Sequence, residues 1–274
     1  MRKSLVFITA MLILLIPVKA FASSDFYIPE SDYELLLKFH TPEYIDTMDY
    51  DEYMSFKSLD INPESVVRIS KFYKVVTNYL TKEVDKQEIS EEEYEAYEVT
   101  EQGRSYYFET AYEKLVLSFS HTSDTTNYFS YTGIWKVMPS VRSYDDIGIR
   151  VIGFSIDSGS RVSRQIYKLN GSNIYINYPY NSMYVKTSGN GYGVSMGLIG
   201  SNVTALQCTT SGTMTVDFYP AFIYGAYEHA IDTITLNTAK NYTIGLGAGD
   251  VFVWGTNASG HYDNMNGIST YITS

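Results

Sequence analysis

The stretch Ile166-Tyr167-Lys168-Leu169-Asn170-Gly171-Ser172-Asn173-Ile174-Tyr175-Ile176 decides the fold class. A two-residue hairpin turn of type I′ needs positive φ at both central positions; asparagine tolerates that region and glycine has no Cβ to clash there. The flanking residues are rich in β-branched and aromatic strand formers. The string therefore reads as an antiparallel hairpin.

Working outward, the same period-two pattern recurs. Leu115, Leu117 and Phe119 alternate with Val116, Ser118 and Ser120, and Met214, Val216 and Phe218 alternate with Thr213, Thr215 and Asp217. Ile147, Ile149 and Val151 repeat the theme, as do Tyr242, Ile244 and Leu246. Alternation at this spacing places one set of side chains on each face of a strand. Turn formers sit between the runs: His121–Asn127, Ser158-Gly159-Ser160, Gly189-Asn190-Gly191 and Gly247–Asp250. No helical period interrupts the chain after Tyr106. The expected fold is mostly β: an antiparallel β-sandwich of jelly-roll type over residues 106–274, with a closed barrel as the alternative.

Residues 23–105 read differently. Ser31 can cap a turn containing Leu35, Leu36 and Phe39. Thr41-Pro42-Glu43 places a cap, a proline at the first helical position and an acid in the first turn. Ser90-Glu91-Glu92-Glu93 is a capping box. Short helices are expected at 32–39, 42–56 and 90–97. Val66–Val84 fits a helical stripe, but its density of β-branched and aromatic residues favours a strand. Residues 23–105 hold 20 acidic and 8 basic side chains, a net of −12, whereas residues 106–274 hold 11 and 9, a net of −2. The expectation is a small acidic α/β segment in front of a nearly neutral β domain. Neither part offers a basic face for phosphate backbones, so no nucleic-acid partner is expected.

The first 22 residues form an export signal. Arg2 and Lys3 precede the apolar run Leu5–Val18, and Ala20-Phe21-Ala22 supplies the small-x-small pattern that predicts a cut before Ser23. Pro17 and Lys19 end the run before it reaches the roughly 18 residues of a spanning helix. No later segment approaches that length. The mature chain is expected outside the cell, with Cys208 as its only cysteine. Secreted eukaryotic domains of this size usually carry disulfides, so one cysteine points to a bacterial protein held by packing. Cys208 itself reads as a small buried hydrophobe, with an intermolecular disulfide as the alternative.

Four strings look familiar together: Ala111-Tyr112-Glu113-Lys114-Leu115, Trp135-Lys136-Val137-Met138-Pro139-Ser140-Val141-Arg142-Ser143-Tyr144-Asp145, Tyr224-Gly225-Ala226-Tyr227-Glu228-His229-Ala230, and Tyr262-Asp263-Asn264-Met265-Asn266-Gly267-Ile268-Ser269. With these strings and its export signal, the chain resembles a group of uncharacterised secreted β-rich proteins of Gram-positive spore-forming bacteria. The resemblance implies a β-rich exported protein and brings no catalytic or binding residues with it.

Chemical motifs are sparse. Gly193-Val194-Ser195-Met196-Gly197 matches the nucleophile elbow, but turn residues rather than helix formers follow it, and the βαβ alternation of a hydrolase is missing. A glycine-loosened strand is the better reading. His40, His121, His229 and His261 are too widely spaced for a metal site, and His229 reads as a structural histidine paired with Glu228 or packed among tyrosines. The Tyr262–Gly267 string lacks the first aspartate and the last glutamate of an EF-hand. No cofactor is expected; an irregular calcium site on Asp263 or Asp145-Asp146 is the remaining metal reading. The chain holds 27 tyrosines, and tyrosine suits both sheet pairing and recognition surfaces. Tyr178, Tyr180, Trp254 and Tyr262 are the candidate ligand-binding residues. The expected function is a non-catalytic secreted or surface-associated protein contacting cell-wall polymer, glycan or another protein. The alternatives are a β-pore-forming toxin, for which Thr204–Phe218 and an Ile231–Thr238 strand supply the amphipathic character, and an exported hydrolase.

Overall fold

Asn170 and Gly171 both adopt positive φ, 51° and 85°, and they join strands β7 (Val162–Leu169) and β8 (Ser172–Asn177) in antiparallel register from Leu169↔Ser172 to Arg164↔Asn177. The hairpin is one end of a large sheet. The computed structural model describes residues 26–78, 80–97, 108–121, 126–199, 203–245, 251–263 and 267–273. The export signal lies outside them, as does the Gly247–Asp250 turn.

The other strands of the large sheet are β1 (Val66–Asn78), β2 (Glu83–Ile89), β3 (Phe108–Ser120), β4 (Thr126–Val137), β6 (Phe154–Ile156) and β11 (Val203–Val216). Their order is β2-β1-β3-β4-β11-β7-β8, with β6 on the end of β11. A second sheet runs β15 (Ile268–Ile272), β12 (Ala221–Glu228), β5 (Tyr144–Ile152), β10 (Gly191–Gly197) and β9 (Val185–Ser188). Every strand pair is antiparallel. The two sheets face each other as a sandwich. Alternation in β3 sends Leu115, Leu117 and Phe119 inward, where they share one core with Ile147, Ile149 and Val151 of β5. Each such buried side chain is worth about 1.5–3 kcal/mol relative to leaving it in water.

Two glycines let the sheets close. A Cβ on Gly225 in β12 would lie 2.5 Å from the Tyr131 ring of β4, and one on Gly133 in β4 would lie 2.8 Å from the Tyr227 ring of β12. Each sheet leaves out one side chain so that a tyrosine of the other can lie against its backbone.

The acidic N-terminal residues are part of this structure. Val66–Asn78 is a strand, not a helix, and pairs with β3 along its whole length, from Val66↔Ser120 to Asn78↔Phe108. The change in composition near residue 105 therefore falls between two paired strands. The helices differ from expectation in detail. Helix α1 is Glu30–Leu37 with Pro29 at its N-cap, and Ser31, inside the helix, bonds to Asp32 instead of capping. The helix expected at 42–56 is two: α2 (Pro42–Ile45), capped by Thr41, and α3 (Tyr50–Lys57), capped by Asp49 through the Glu52 amide at 2.8 Å. A side-chain cap inside a helical pattern competes with the backbone and restarts the helix. Helix α4 (Glu91–Ala96) starts at Ser90, which accepts from the Glu93 amide at 3.1 Å. Leu36, Phe39, Tyr44 and Phe56 pack on the outer side of the large sheet at Tyr128 and Ile166, while Tyr94 covers Phe72 and Tyr112.

Ile231–Thr238, expected as a strand, is irregular and leads into the single turn α5 (Leu236–Ala239). Thr235 caps that turn by accepting from the Thr238 amide, which withdraws the segment from any ladder. The short hairpin β13 (Tyr242–Ile244) and β14 (Phe252–Trp254) then lies on the outer face of the small sheet.

Candidate functional site

Along β12, Ala221 and Ile223 enter the core, so Phe222 and Tyr224 point to the outer face. Register places Phe222 between Tyr271 of β15 and Ile152 of β5, and Tyr224 between Ser269 and Arg150. The result is a row of rings. Tyr271 and Phe222 lie 5.7 Å apart and tilted by 35°, and Phe222 and Tyr224 lie 6.3 Å apart and nearly parallel at 20°. Tyr271 is 62% exposed. Phe218 and Tyr219, also exposed, occupy the loop that enters β12.

Beside this row is a cleft of about 180 Å³ lined by Arg150, Val151, Ile152, Gly189, Asn190 and Gly245. Ile152 and Arg150 belong to both features. The Arg150 guanidinium stands 4.2 Å from the centre of the Tyr224 ring and donates to the Gly245 carbonyl at 3.3 Å. An arginine side chain stays protonated, and the ring face beneath it offsets part of its desolvation. The arrangement leaves the Tyr271 ring open to solvent at the end of a row whose Tyr224 is buried under Arg150, next to a small, mainly apolar recess. An exposed ring beside a recess suits a ligand with an apolar face.

Of the residues singled out in the sequence, Trp254 and Tyr262 come together, stacked at 4.1 Å and 16°. Tyr262 is buried and donates to Asp146 Oδ2 at 2.5 Å. Tyr178 is in the sandwich core, its ring edge-on to Tyr184 at 5.3 Å. Tyr180 is exposed in the loop after β8. Among the described residues no ring contact joins Tyr178 or Tyr180 to the other two. Phe222, Tyr224 and Tyr271 were not singled out: their grouping depends on strand register across a long stretch of chain. The one sequence signal was the aromatic alternation Phe222, Tyr224 within β12.

Ser195 sits in the middle of β10, fully buried, and donates to Asp146 Oδ1 at 2.5 Å. It is not on a strand-to-helix elbow. The first glycine of that motif and Gly148 of β5 make room: a Cβ on Gly193 would lie 2.5 Å from the Tyr242 hydroxyl, and one on Gly148 2.6 Å from the Phe252 ring. They form the bed on which the β13–β14 hairpin rests. Burial pushes the Asp146 carboxyl well above the usual carboxylate range, against the pull of its two hydroxyl donors.

Asp145 points the other way, into the sandwich. It takes the His229 Nδ1 at 2.9 Å and the Tyr227 hydroxyl at 2.5 Å, and Tyr227 in turn receives the Trp135 indole N–H at 3.1 Å. His229 thus pairs with Asp145 rather than Glu228. Burial lowers the basicity of His229, but the Asp145 carboxylate outweighs it and the net shift is upward. Because Asp145 and Asp146 are on opposite faces of β5, they do not converge on one ion. Asp263 faces a cation of the chain itself, with Lys86 Nζ 3.8 Å from Oδ1. Cys208 is buried, its thiol pushed up to about 12 by desolvation. Of Thr204–Phe218, the candidate for membrane insertion, residues 204–216 lie in strand β11 between β4 and β7, and Asp217 and Phe218 follow it in the loop. Among the described residues no helix is long and apolar enough to cross a membrane.

No protein-family model matches the chain, and no curated protein matches it. Among solved structures it is similar to the collagen-binding domain of the Erysipelothrix rhusiopathiae surface protein RspB, at 10% identity and a TM-score of 0.29, over 44% of this chain and 59% of that one. It is also similar to the pilus backbone RrgB of Streptococcus pneumoniae, at 7% identity and a TM-score of 0.29, over 56% of this chain and 42% of that one. A third is a protein solved in complex with β-1,4-galactotriose, at 12% identity and a TM-score of 0.21, over 44% of this chain and 70% of that one. The chain spans less than two thirds of the first two structures it matches.

Proposed function

We propose that the protein is a non-catalytic extracellular binding protein that holds a polysaccharide, such as a cell-wall polymer, on the outer face of its small sheet. The observation that carries this reading is the ring row Tyr271–Phe222–Tyr224, which opens at one end to solvent and at its side to the Arg150 cleft. A sugar ring stacks its C–H face on an aromatic ring and turns its hydroxyls to polar groups at the edge. Exposed apolar patches rimmed by polar residues mark interaction sites. The export signal and the resemblance to secreted proteins of spore-forming Gram-positive bacteria support placement outside the cell.

The test is binding to purified cell walls and to a panel of soluble glycans, with Tyr271→Ala alongside the parent. At 62% exposure, the substitution should leave stability within about 0.5 kcal/mol. It should weaken glycan binding roughly tenfold, equal to about 1.4 kcal/mol. A parent protein that binds neither walls nor any glycan sinks the proposal.

A further inference from the structure

Three ionisable side chains that the binding face does not use point into the interior at one place. Lys86 comes from the edge strand β2, Glu113 from β3, and Asp263 from the segment that follows the Ala230–Tyr262 bridge at the end of the small sheet. Lys86 and Glu113 flank β1 on its inner side: Lys86 is paired with Val75, and Glu113 with Tyr73. Glu113 has no solvent exposure, and the Asp263 side chain has none either. Among the described residues, Lys86 Nζ, both Glu113 carboxyl oxygens and Asp263 Oδ2 are all buried without a hydrogen-bond partner. Lys86 Nζ stands 3.8 Å from Asp263 Oδ1, outside hydrogen-bond range, and that oxygen accepts the His229 backbone N–H at 3.0 Å.

Left as ions, these groups are costly. A buried charge that lacks hydrogen bonds bears a desolvation penalty that attraction alone offsets only with good geometry, and at 3.8 Å the amine and the carboxyl make no hydrogen bond. The placement suits a reaction better than an ion pair: an amine beside a carboxyl carbon, one carboxyl oxygen held by a backbone N–H, the other bare, and a second carboxyl alongside. We propose that Lys86 and Asp263 are joined by an amide bond that the folded chain forms by itself, with Glu113 as the acid–base group.

The step balances without any oxidant or cofactor. Glu113 takes one proton from the Lys86 ammonium, and the neutral Nζ attacks Cγ of Asp263. The His229 N–H steadies the negative charge that develops on Oδ1, as an oxyanion donor does. Glu113 passes its proton to Oδ2, the Cγ–Oδ2 bond breaks, and with a second proton from Nζ the departing oxygen leaves as water. An ammonium and a carboxylate become a neutral amide and one water, and Glu113 ends as it began. Asp263 and Lys86 are the charged groups that act most strongly on the Glu113 carboxyl, which burial first, and Asp263 next, hold well above its usual range. Burial likewise raises Asp263, which favours transfer of the Glu113 proton to Oδ2. Exclusion of water from the closed interior then protects the bond. The bond ties the edge of the large sheet to the small sheet, the task a disulfide performs in other exported proteins.

The test is the intact mass of the full chain after unfolding, with its N-terminus read independently, followed by peptide mapping. The parent should be lighter than its sequence by one water, and digestion should release a branched peptide joining Lys86 to Asp263. Lys86→Met should restore the full mass. Glu113→Gln, which keeps both reacting groups, should also restore it while retaining the β spectrum of the parent. A parent of full mass overturns the proposal whether or not any variant folds, and so does a water loss that maps to other peptides. A Glu113→Gln chain that carries the bond as completely as the parent overturns the role given to Glu113.

Discussion

Tyr131 of the large sheet lies flat over Gly225 of the small sheet, so close that a Cβ at position 225 would come within 2.5 Å of the ring. Tyr227 and Gly133 repeat the arrangement with the sheets exchanged. Neither ring can withdraw, since both are buried among core side chains. Gly225→Ala should therefore cost about 1–3 kcal/mol as an overpacked interface, read as a lower urea midpoint at unchanged slope. An unaltered midpoint would show that the sheets are free to part.

Asp146→Asn tests the buried carboxyl under the β13–β14 hairpin. Burial raises the Asp146 carboxyl well above the usual carboxylate range in the folded chain, while the unfolded chain ionises near pH 4. Its contribution to stability is complete below that pH and is lost as pH rises toward its folded value. The difference between variant and parent should shift in favour of the variant by about 1.4 kcal/mol per pH unit above pH 4, until Asp146 ionises in the native state. Urea titrations at a series of pH values measure it; parallel curves would contradict a protonated Asp146.

His40 gives the opposite sign. Burial, with Arg164 and Arg68 adding to it, lowers its pKa to about 3, and its ring stacks on Tyr44 at 4.0 Å and bonds to the Tyr128 hydroxyl at 2.8 Å. The unfolded chain takes up a proton near pH 6.5, so this contribution is present above that pH and fades as pH falls toward 3. His40→Gln should be less stable at pH 7 and should lose that acid-side dependence of about 1.4 kcal/mol per unit. Thermal melts from pH 7 to 4 would show the two curves converging.

Arg164 is a buried charged anchor between the helical layer and the large sheet. Arg164 on β7 bonds to Glu52 Oε2 at 2.7 Å, to Asn177 at 2.8 Å and to Thr47 at 3.0 Å, and is almost wholly buried. Glu52→Ala strands this cation and should cost about 3–5 kcal/mol. Adding Arg164→Met should recover much of the loss. A Glu52→Ala chain within measurement error of the parent would mean that the anchor is idle.

The elements that local sequence controls were readable in advance. The β7–β8 hairpin follows from Asn170-Gly171, and the inward faces of β3 and β5 follow from their alternation. Where a local signal competes with tertiary context, the reading failed. Asp49 splits an apolar stripe that looks continuous, and Thr235 turns a β-rich string into one helical turn. The proposed binding face was hidden for another reason: Tyr178 and Tyr180 are prominent in a tyrosine-dense stretch, whereas Tyr271, Phe222 and Arg150 become neighbours only through the order β15-β12-β5. The partners of Asp145 were hidden in the same way, because His229 and Tyr227 are distant in sequence and adjacent only across two paired strands. Lys86 lies in the charged string Glu83-Val84-Asp85-Lys86-Gln87-Glu88, in which nothing marks one member as turning inward.

That string also says something about how copies of the protein coexist. Strand β2 ends the large sheet, and an uncovered sheet edge is a template on which another chain can add a strand. Glu83, Asp85 and Glu88 stand exposed along it. A second copy arriving edge to edge would bring the same acids against them and be repelled. The acidity of the first third of the chain thus has an address, where it opposes the addition of a second copy at that edge.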